Sequence, residues 1–255
     1  MKAATGFSLL AIVVAFLAVP AFSAPIKRTP VKRSSTKRGL AWPWDGLADD
    51  FDLFSSSTTS WEYNWESWTN SPPAGITYVA MQRTSEDIDT LAASMESTGA
   101  TILLGFNEPD NTDQANLSPS DAASLWIEYM NPIHESGIHV VAPAITNSDE
   151  SGQGIDWMTE FVSACGGSCL YDEVAMHWYG DTLDDFEAQV EAVASTFDST
   201  VWVTEFALND SADDDTTQTF LTDAISYLES SDSVSHYSWF VAGKAVCCCA
   251  LIVFI

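Results

Sequence analysis

Thr101-Ile-Leu-Leu-Gly-Phe-Asn-Glu-Pro-Asp110 opens as an apolar run of strand length and closes on an Asn-Glu pair. Proline has no N–H to give a ladder, so Pro109 marks where the strand must stop. A carboxylate at the end of a buried strand is aimed into a cleft, which singles out Glu108. Further along the chain the pattern returns as Val201-Trp-Val-Thr-Glu-Phe-Ala207, a β-branched run that again ends in Glu. Two such strands suggest a pair of catalytic acids, Glu108 and Glu205.

Around these two strands, short apolar runs alternate with amphipathic segments of helix length. Strands are expected at Leu40–Trp44, Ser60–Trp65, Ile76–Met81, the Glu108 stretch, His139–Ile145, Glu173–Tyr179, the Glu205 stretch and Val234–Phe240. Thr84-x-x-Asp87 reads as a capping box, with Ile88, Leu91, Ala92 and Met95 on the buried face of the helix behind it. Ser118-Pro-Ser-Asp121 combines an N-cap serine, a proline at the first helical position and an early acid. Each satisfies or complements exposed N–H groups. Leu125, Trp126, Tyr129 and Ile133 supply that helix's apolar face. A helix over 155–164, one capped by Thr182-x-x-Asp185 and one over 213–229 complete the alternation. Nearly continuous apolar strands between helices indicate a parallel sheet covered by helices. Eight repeats favour a closed (β/α)8 TIM barrel over an open sheet. No Gly-x-Gly-x-x-Gly or phosphate-cradling loop is present, which lowers a nucleotide-binding reading.

The first 38 residues read as processing signals. An apolar run from Phe7 to Val19 follows Lys2 and leads to Ala21-Phe-Ser23, the pattern of a secretory signal peptide over 1–23. The run is too short to cross an apolar core ~30 Å thick. Residues 24–38 hold three Lys-Arg pairs and read as a basic pro-segment cut after dibasic pairs, with Gly39 as the expected mature start. Seven of the nine basic residues precede Gly39 and no acidic residue does. The remainder sets 36 Asp and Glu against Arg83 and Lys244, a formal charge of −34. Such a surface repels nucleic acid and anionic lipid, so neither is expected as a partner. A hydrophobic content of 46% with ten Trp can still fill a core. In an oxidising compartment Cys165 and Cys169, which bracket Gly-Gly-Ser, read as a small-loop disulfide. No convincing metal-ligand spacing is seen. Asn116 and Asn209 stand in N-glycosylation triplets.

In (β/α)8 barrels the active site forms at the C-terminal ends of the strands. Read in order, those ends carry Trp42 and Trp44, Tyr63 and Trp65, Asn107 and Glu108, His177 and Tyr179, Glu205, and Trp239 with Phe240. Aromatic faces stack on the C–H faces of sugar rings while polar groups take their hydroxyls. Trp178 and Trp202 alternate with site-facing neighbours and are expected to face the outer helices.

Gly39-Leu-Ala-Trp-Pro-Trp44, Tyr63-Asn-Trp65, Gly105-Phe-Asn-Glu-Pro-Asp110, His177-Trp-Tyr179 and Trp202-Val-Thr-Glu-Phe206 resemble glycoside hydrolase family 128, the alkali-sensitive linkage protein-like group of fungal endo-β-1,3-glucanases. The resemblance covers residues 39–240. It implies Glu108 as general acid/base and Glu205 as nucleophile, with the two carboxyl groups ~5–5.5 Å apart. Burial and a neighbouring negative charge are expected to raise the pKa of Glu108. Asn107 is expected to bond the 2-hydroxyl of the reacting sugar, Tyr179 or His177 to orient the nucleophile, and Trp239 to floor the subsite. No cofactor or metal is called for. The resulting expectation is a secreted, monomeric hydrolase of the extracellular space or cell wall acting on β-1,3-glucan. A non-catalytic polysaccharide-binding protein and a glycosidase of β-1,4-linked glycans are the alternatives. Residues 241–255, with Cys247-Cys-Cys249, suit neither a barrel helix nor a lipid-anchor box and read as an atypical tail, a possible gene-model artefact that leaves the barrel without a regular last helix.

Overall fold

Among the described residues nine strands, all parallel, follow one another round a single sheet. They are β1 (Arg38–Ala41), β2 (Trp61–Tyr63), β3 (Thr77–Tyr78), β4 (Ala80–Met81), β5 (Ile102–Leu104), β6 (His139–Ile145), β7 (Glu173–Gly180), β8 (Val201–Leu208) and β9 (Val234–Trp239). The structure, a computed structural model, describes residues 37–43, 58–69, 75–209 and 212–242. Trp44, Cys247-Cys-Cys249 and the tail beyond Ala242 lie outside the described residues, as do the leader and most of the basic segment.

The sheet order is β3-β2-β1-β9-β8-β7-β6-β5-β4. Its two ends are halves of one extended segment interrupted at Val79, whose N–H donates to the Glu62 carbonyl at 2.8 Å. The sheet therefore closes on itself there, and the third expected strand serves as both β3 and β4. This is the expected (β/α)8 arrangement. Closure also removes the sheet edges that an open sheet would have to protect.

Two apolar layers hold it together. Ala41, Trp61, Tyr63, Val79, Met81, Leu104, Val141, Ala144, Ala175 and Trp202 fill the barrel. A larger layer packs the outward faces of the strands against the helices α1 (Leu91–Thr98), α2 (Pro119–Leu125), α3 (Asn131–Glu135), α4 (Gly154–Cys165), α5 (Leu183–Phe197) and α6 (Asp214–Ser230). Gly105 is required by this packing, because a Cβ there would come within 2.7 Å of the Trp126 ring.

Local signals mostly act as expected. Ser118 Oγ accepts from Asp121 N at 3.1 Å and caps α2, and Thr182 Oγ1 accepts from Asp185 N at 3.2 Å and caps α5. Between α2 and α3 the chain passes through one π-helical turn, Trp126–Met130. Pro132 follows it and has no N–H for an i−4 carbonyl, which is the local cause of the widened turn. Cys165 and Cys169 are joined as a disulfide.

Two expectations are overturned. Thr84 caps no helix. Its Oγ1 accepts from Glu86 N in a short turn, Asp87 takes a left-handed φ of 53°, and the helix begins only with a 3-10 turn at Ile88. Ala92 is consequently exposed. Trp202 faces the barrel interior with Trp61 and Tyr63, whereas Trp178 does pack on the helices as expected. The cause is a bulge: Met176 pairs with Val203 but His177 pairs with Glu205, so Thr204 is an extra residue in β8. One extra residue flips every side chain on one side of it to the opposite face.

Candidate active site

The bulge has a second consequence, since it turns Thr204 and Glu205 towards the barrel together. Glu205 is 5% exposed and held from several directions. Its Oε1 accepts from Trp65 Nε1 at 2.7 Å and from the Tyr63 hydroxyl at 3.4 Å, and its Oε2 accepts from the Tyr179 hydroxyl at 2.5 Å. Burial, together with the charge of Glu205, pushes the Tyr179 hydroxyl far above its ordinary pKa, so it stays a donor.

Glu108 is placed by a tight turn. Asn111 N donates to the Glu108 carbonyl at 3.0 Å, and Asn111 Nδ2 donates to Glu108 Oε2 at 2.9 Å. Glu108 itself has a φ of 41°, uncommon for a residue with a Cβ, and more so before proline. Such backbone costs on the order of 1–3 kcal/mol and persists only where the surroundings impose it. Asp110 provides that constraint. Its carboxylate accepts from Thr146 N, Thr146 Oγ1 and Gly154 N, which ties the β5 loop to the end of β6 and the start of α4.

His177 links the two acids. Its Nδ1 lies 2.8 Å from Glu108 Oε1 and 3.5 Å from Glu205 Oε2, while Nε2 lies 3.0 Å from Thr204 Oγ1. The side chain is fully buried. Burial lowers the pKa of His177, but the charges of Glu205 and Glu108 outweigh it and the net shift is upward. Glu108 moves the other way: burial raises its pKa, but the hydrogen bond and charge of His177, with the bond from Asn111, hold it below the ordinary carboxylate value. The sequence expectation of a raised Glu108 is thereby corrected. Counting charges had found the neighbouring acid but not the imidazole bonded between the two.

One ligand atom from each of Glu108, His177 and Glu205 lies within 4.8 Å of the others. That spacing could also hold a metal ion, but both ring nitrogens of His177 are already hydrogen-bonded, so ligation would require giving one up. The two carboxyl oxygens are nearer to each other than the ~6.5–9.5 Å that leaves room for an intervening water, which is the closer spacing of a double-displacement pair.

Above the acids opens a cleft of about 780 Å³. Trp65, Tyr179 and Phe240 give it aromatic walls, and Asn64, Asn107, Asn111, Gln114, Asn147 and Gln153 give it amides. Asn107 is buried beside Glu108. Its Nδ2 donates to Gln114 Oε1 at 3.3 Å, while its Oδ1 has no protein partner.

Four expected substrate contacts are placed elsewhere. Tyr63 is fully buried beneath Glu205, its hydroxyl donating to the Thr204 carbonyl at 3.0 Å, so it supports the site from below. Trp42 packs with Leu40, Ile76 and Ala242 away from the cleft. Trp239 lies against Phe206 and Phe220 on the helix side, and Phe240 takes the cleft wall in its place. His177 sits under the acids and does not line the cleft. Asn116 and Asn209 are both exposed, and Asn209 Nδ2 donates to Asp181 Oδ1 at 2.7 Å.

A family model described as "Glycosyl hydrolase catalytic core" matches residues 39–250. The chain is 34% identical to a curdlan-specific exo-β-1,3-glucanase of family 128, subgroup III, from Blastomyces gilchristii. The match covers 81% of this chain and 90% of that one, with a TM-score of 0.74. An endo-β-1,3-glucanase of subgroup IV from Lentinula edodes matches at 32% identity over 80% and 83% of the two chains, with a TM-score of 0.73. The chain belongs to glycoside hydrolase family 128. Alkali-sensitive linkage protein 1 of Schizosaccharomyces pombe is 35% identical over 213 residues, 80% of this chain, and the chain spans 38% of that relative's length. As a family 128 glycoside hydrolase, the chain has its matched span running from Gly39, in the first strand, into the tail at residue 250.

Sequence reading missed several residues of this site. Asn111 was within reach of it: Glu108-Pro-Asp-Asn111 is a turn sequence with proline at the second position, which brings the fourth residue back beside the first. Thr204, Gln114 and Asn147 carried no local signal: the bulge turns Thr204 inward, the loop after β5 folds Gln114 back onto Asn107, and Asn147 is held by the backbone of Tyr179 in β7.

Proposed function

We propose that this chain is a secreted, retaining hydrolase that cuts β-1,3-glucan within the polymer, as in the glucan of fungal cell walls. Glu205 is the nucleophile and Glu108 the general acid/base. The observation that carries the reading is the approach of the two carboxylates to within 4.8 Å at the floor of an open cleft. Family membership and the glucanase activities of the two solved relatives support the substrate class. The apolar leader over residues 1–23 supports export.

The chemistry follows from who holds protons. Trp65 Nε1 can only donate and the Tyr179 hydroxyl donates across 2.5 Å, so both oxygens of Glu205 are held as acceptors and the carboxylate faces the anomeric carbon. Glu108 Oε1 and His177 Nδ1 share one proton across 2.8 Å. With Glu205 ionised, an ion pair and a neutral acid–imidazole pair contain the same number of protons and differ only in where one sits. In the empty cleft the ion pair is favoured. A glycosidic oxygen placed against Glu108 expels water and accumulates negative charge as the bond breaks, which draws the proton from His177 onto the carboxyl and across to the leaving group. Glu205 forms the glycosyl ester. Water, deprotonated by Glu108, then attacks from the vacated side, and the proton returns to the pair. The unpartnered Asn107 Oδ1 accepts from the sugar 2-hydroxyl, an interaction that strengthens as positive charge grows on the ring.

The test is product analysis on laminarin and on cello-oligosaccharides. The expected result is a ladder of β-1,3 oligosaccharides from laminarin, formed with retention and lost on the order of 10³-fold or more in both Glu108→Gln and Glu205→Gln. Glucose as the sole early product overturns internal cutting. Cleavage of the β-1,4 substrate instead overturns the substrate assignment, and tight glucan binding without release overturns catalysis.

A further inference from the structure

We propose that Lys37-Arg38, the last of the three dibasic pairs, is a structural seam of the barrel and escapes proteolysis, so that maturation ends at Arg33 and leaves Ser34 as the first residue.

A protease binds its substrate as an extended strand and needs free backbone edges on either side of the scissile bond. The Arg38–Gly39 bond offers none. It lies in β1, which is hydrogen-bonded on both sides, Gly39 standing opposite Trp61 of β2 and Ser238 of β9. Gly39 is buried, and a Cβ at that position would come within 2.1 Å of the Trp61 indole. No side of this peptide bond is open to a second protein.

The two basic side chains are also in use. Lys37 Nζ donates to the Leu228 carbonyl at 3.0 Å and the Ser231 carbonyl at 2.6 Å, at the C-terminal end of α6, where a cation complements the helix's unpaired carbonyls. Arg38 Nε donates to the Tyr237 hydroxyl at 3.1 Å, and that hydroxyl donates on to Glu229 at 2.7 Å. The Lys37 carbonyl accepts from Tyr237 N and from Trp61 Nε1, each at 3.0 Å, and the Arg38 carbonyl accepts from Ser60 N at 3.0 Å. Cutting after Arg38 would strip the buried Trp61 indole of its acceptor. Trp61 packs on Tyr63 and Trp202, and Tyr63 carries Glu205, so the loss would reach the floor of the active site.

Lys37 and Arg38 thus belong to the barrel, through their own bonds to β9 and to the end of α6. Retention also keeps four cations, Lys37, Arg38, Arg83 and Lys244, against the 36 acidic residues.

The experiment has two arms. The full chain is expressed in a secretory host that contains a dibasic-cutting endoprotease, and the product is read by N-terminal sequencing and intact mass. A Ser34 start is expected, whereas Gly39, Thr29 or an uncut pro-segment overturns the proposal. The purified full chain is also digested with trypsin under native conditions and in denaturant. Native cleavage after Arg33 is expected to outpace cleavage after Arg38 by on the order of 10²-fold or more, since cutting in a core strand requires unfolding. Similar native rates at the two sites overturn it, as does a preference that survives denaturation. Lys32→Ala/Arg33→Ala should abolish processing without changing the melting temperature, whereas Lys37→Ala/Arg38→Ala should lower the melting temperature or prevent folding. A melting temperature unaffected by the second pair overturns the structural role.

Discussion

Replacing Glu173 by glutamine should cost stability at neutral pH and cost little in acid. Glu173 opens β7, at the end of the barrel away from the cleft. Its carboxylate accepts from His139 Nε2 at 2.9 Å, from Trp202 Nε1 at 2.8 Å and from Thr200 Oγ1. Burial raises its pKa, but these donors prevail and hold it at about 2, against an ordinary value of 4.5. A folded-state pKa below the unfolded one stabilises the protein above the unfolded value, and the stabilisation is lost as pH falls through the folded value. At 1.36 kcal/mol per pH unit, the distance from 4.5 to about 2 is worth about 3 kcal/mol, all of it present near pH 7. The assay is denaturant unfolding of wild type and Glu173→Gln at intervals from pH 7 to pH 2. The general relief of self-repulsion on acidification acts on both proteins and cancels in their difference. That difference should be about 3 kcal/mol at pH 7, shrink below about pH 4.5 and nearly vanish by pH 2. Turnover per folded molecule at pH 7 should be unchanged, because Glu173 and Glu205 sit at opposite ends of the barrel. A gap constant across the whole range, or no gap at neutral pH, would refute the reasoning.

Three further outcomes test the cleft. Tyr179→Phe removes a donor to a charged carboxylate, worth about 1.5–3 kcal/mol. It should lower kcat on laminarin by roughly 10- to 100-fold with little change in KM, and an unaltered kcat removes Tyr179 from the site's machinery. His177→Asn should move the alkaline limb of the kcat/KM profile to lower pH. The raised pKa of His177 keeps the shared proton in the pair to higher pH than Glu108 could alone, and a profile that keeps its limb denies that sharing. Asp110→Ala strands the donors of Thr146 and Gly154. It should destabilise the fold by about 3 kcal/mol and lower kcat by releasing the strained backbone at Glu108, whereas wild-type thermal unfolding and kcat would show that the loop holds itself.

Much of the architecture was legible because it depends on local patterns of one period. Continuous apolar strands such as His139–Ile145 need cover on both faces, which the capped helices between them supply in a doubly wound sheet or a barrel, and eight repeats favour the barrel. The start of α1 was misread for a reason of the same kind. Thr84 and Asp87 have the spacing of a capping box, but Thr84 engages the N–H two residues on, and a left-handed Asp87 ends the turn before any helix begins. Side-chain hydroxyls choose between these options according to where the next segment must go, which a local pattern does not contain.

The site was legible in its acids and illegible in its supports, and the division falls at the bulge in β8. Period-two counting back from Glu205 puts Val203 inward and Trp202 outward, which is the reading that failed. Thr204 is the residue that breaks the count. It lies inward beside Glu205, its hydroxyl takes His177 Nε2, and its carbonyl accepts from Tyr63 and Ser238. The same inserted residue thus sends Trp202 to the interior, where it reaches Glu173 at the barrel floor, and fixes the imidazole that shares the proton of Glu108. A strand of unbroken alternation would present either Thr204 or Glu205 to the cleft, but not both. The irregularity that defeats sequence periodicity is therefore the feature that lets one strand deliver the nucleophile and also anchor the histidine beneath it.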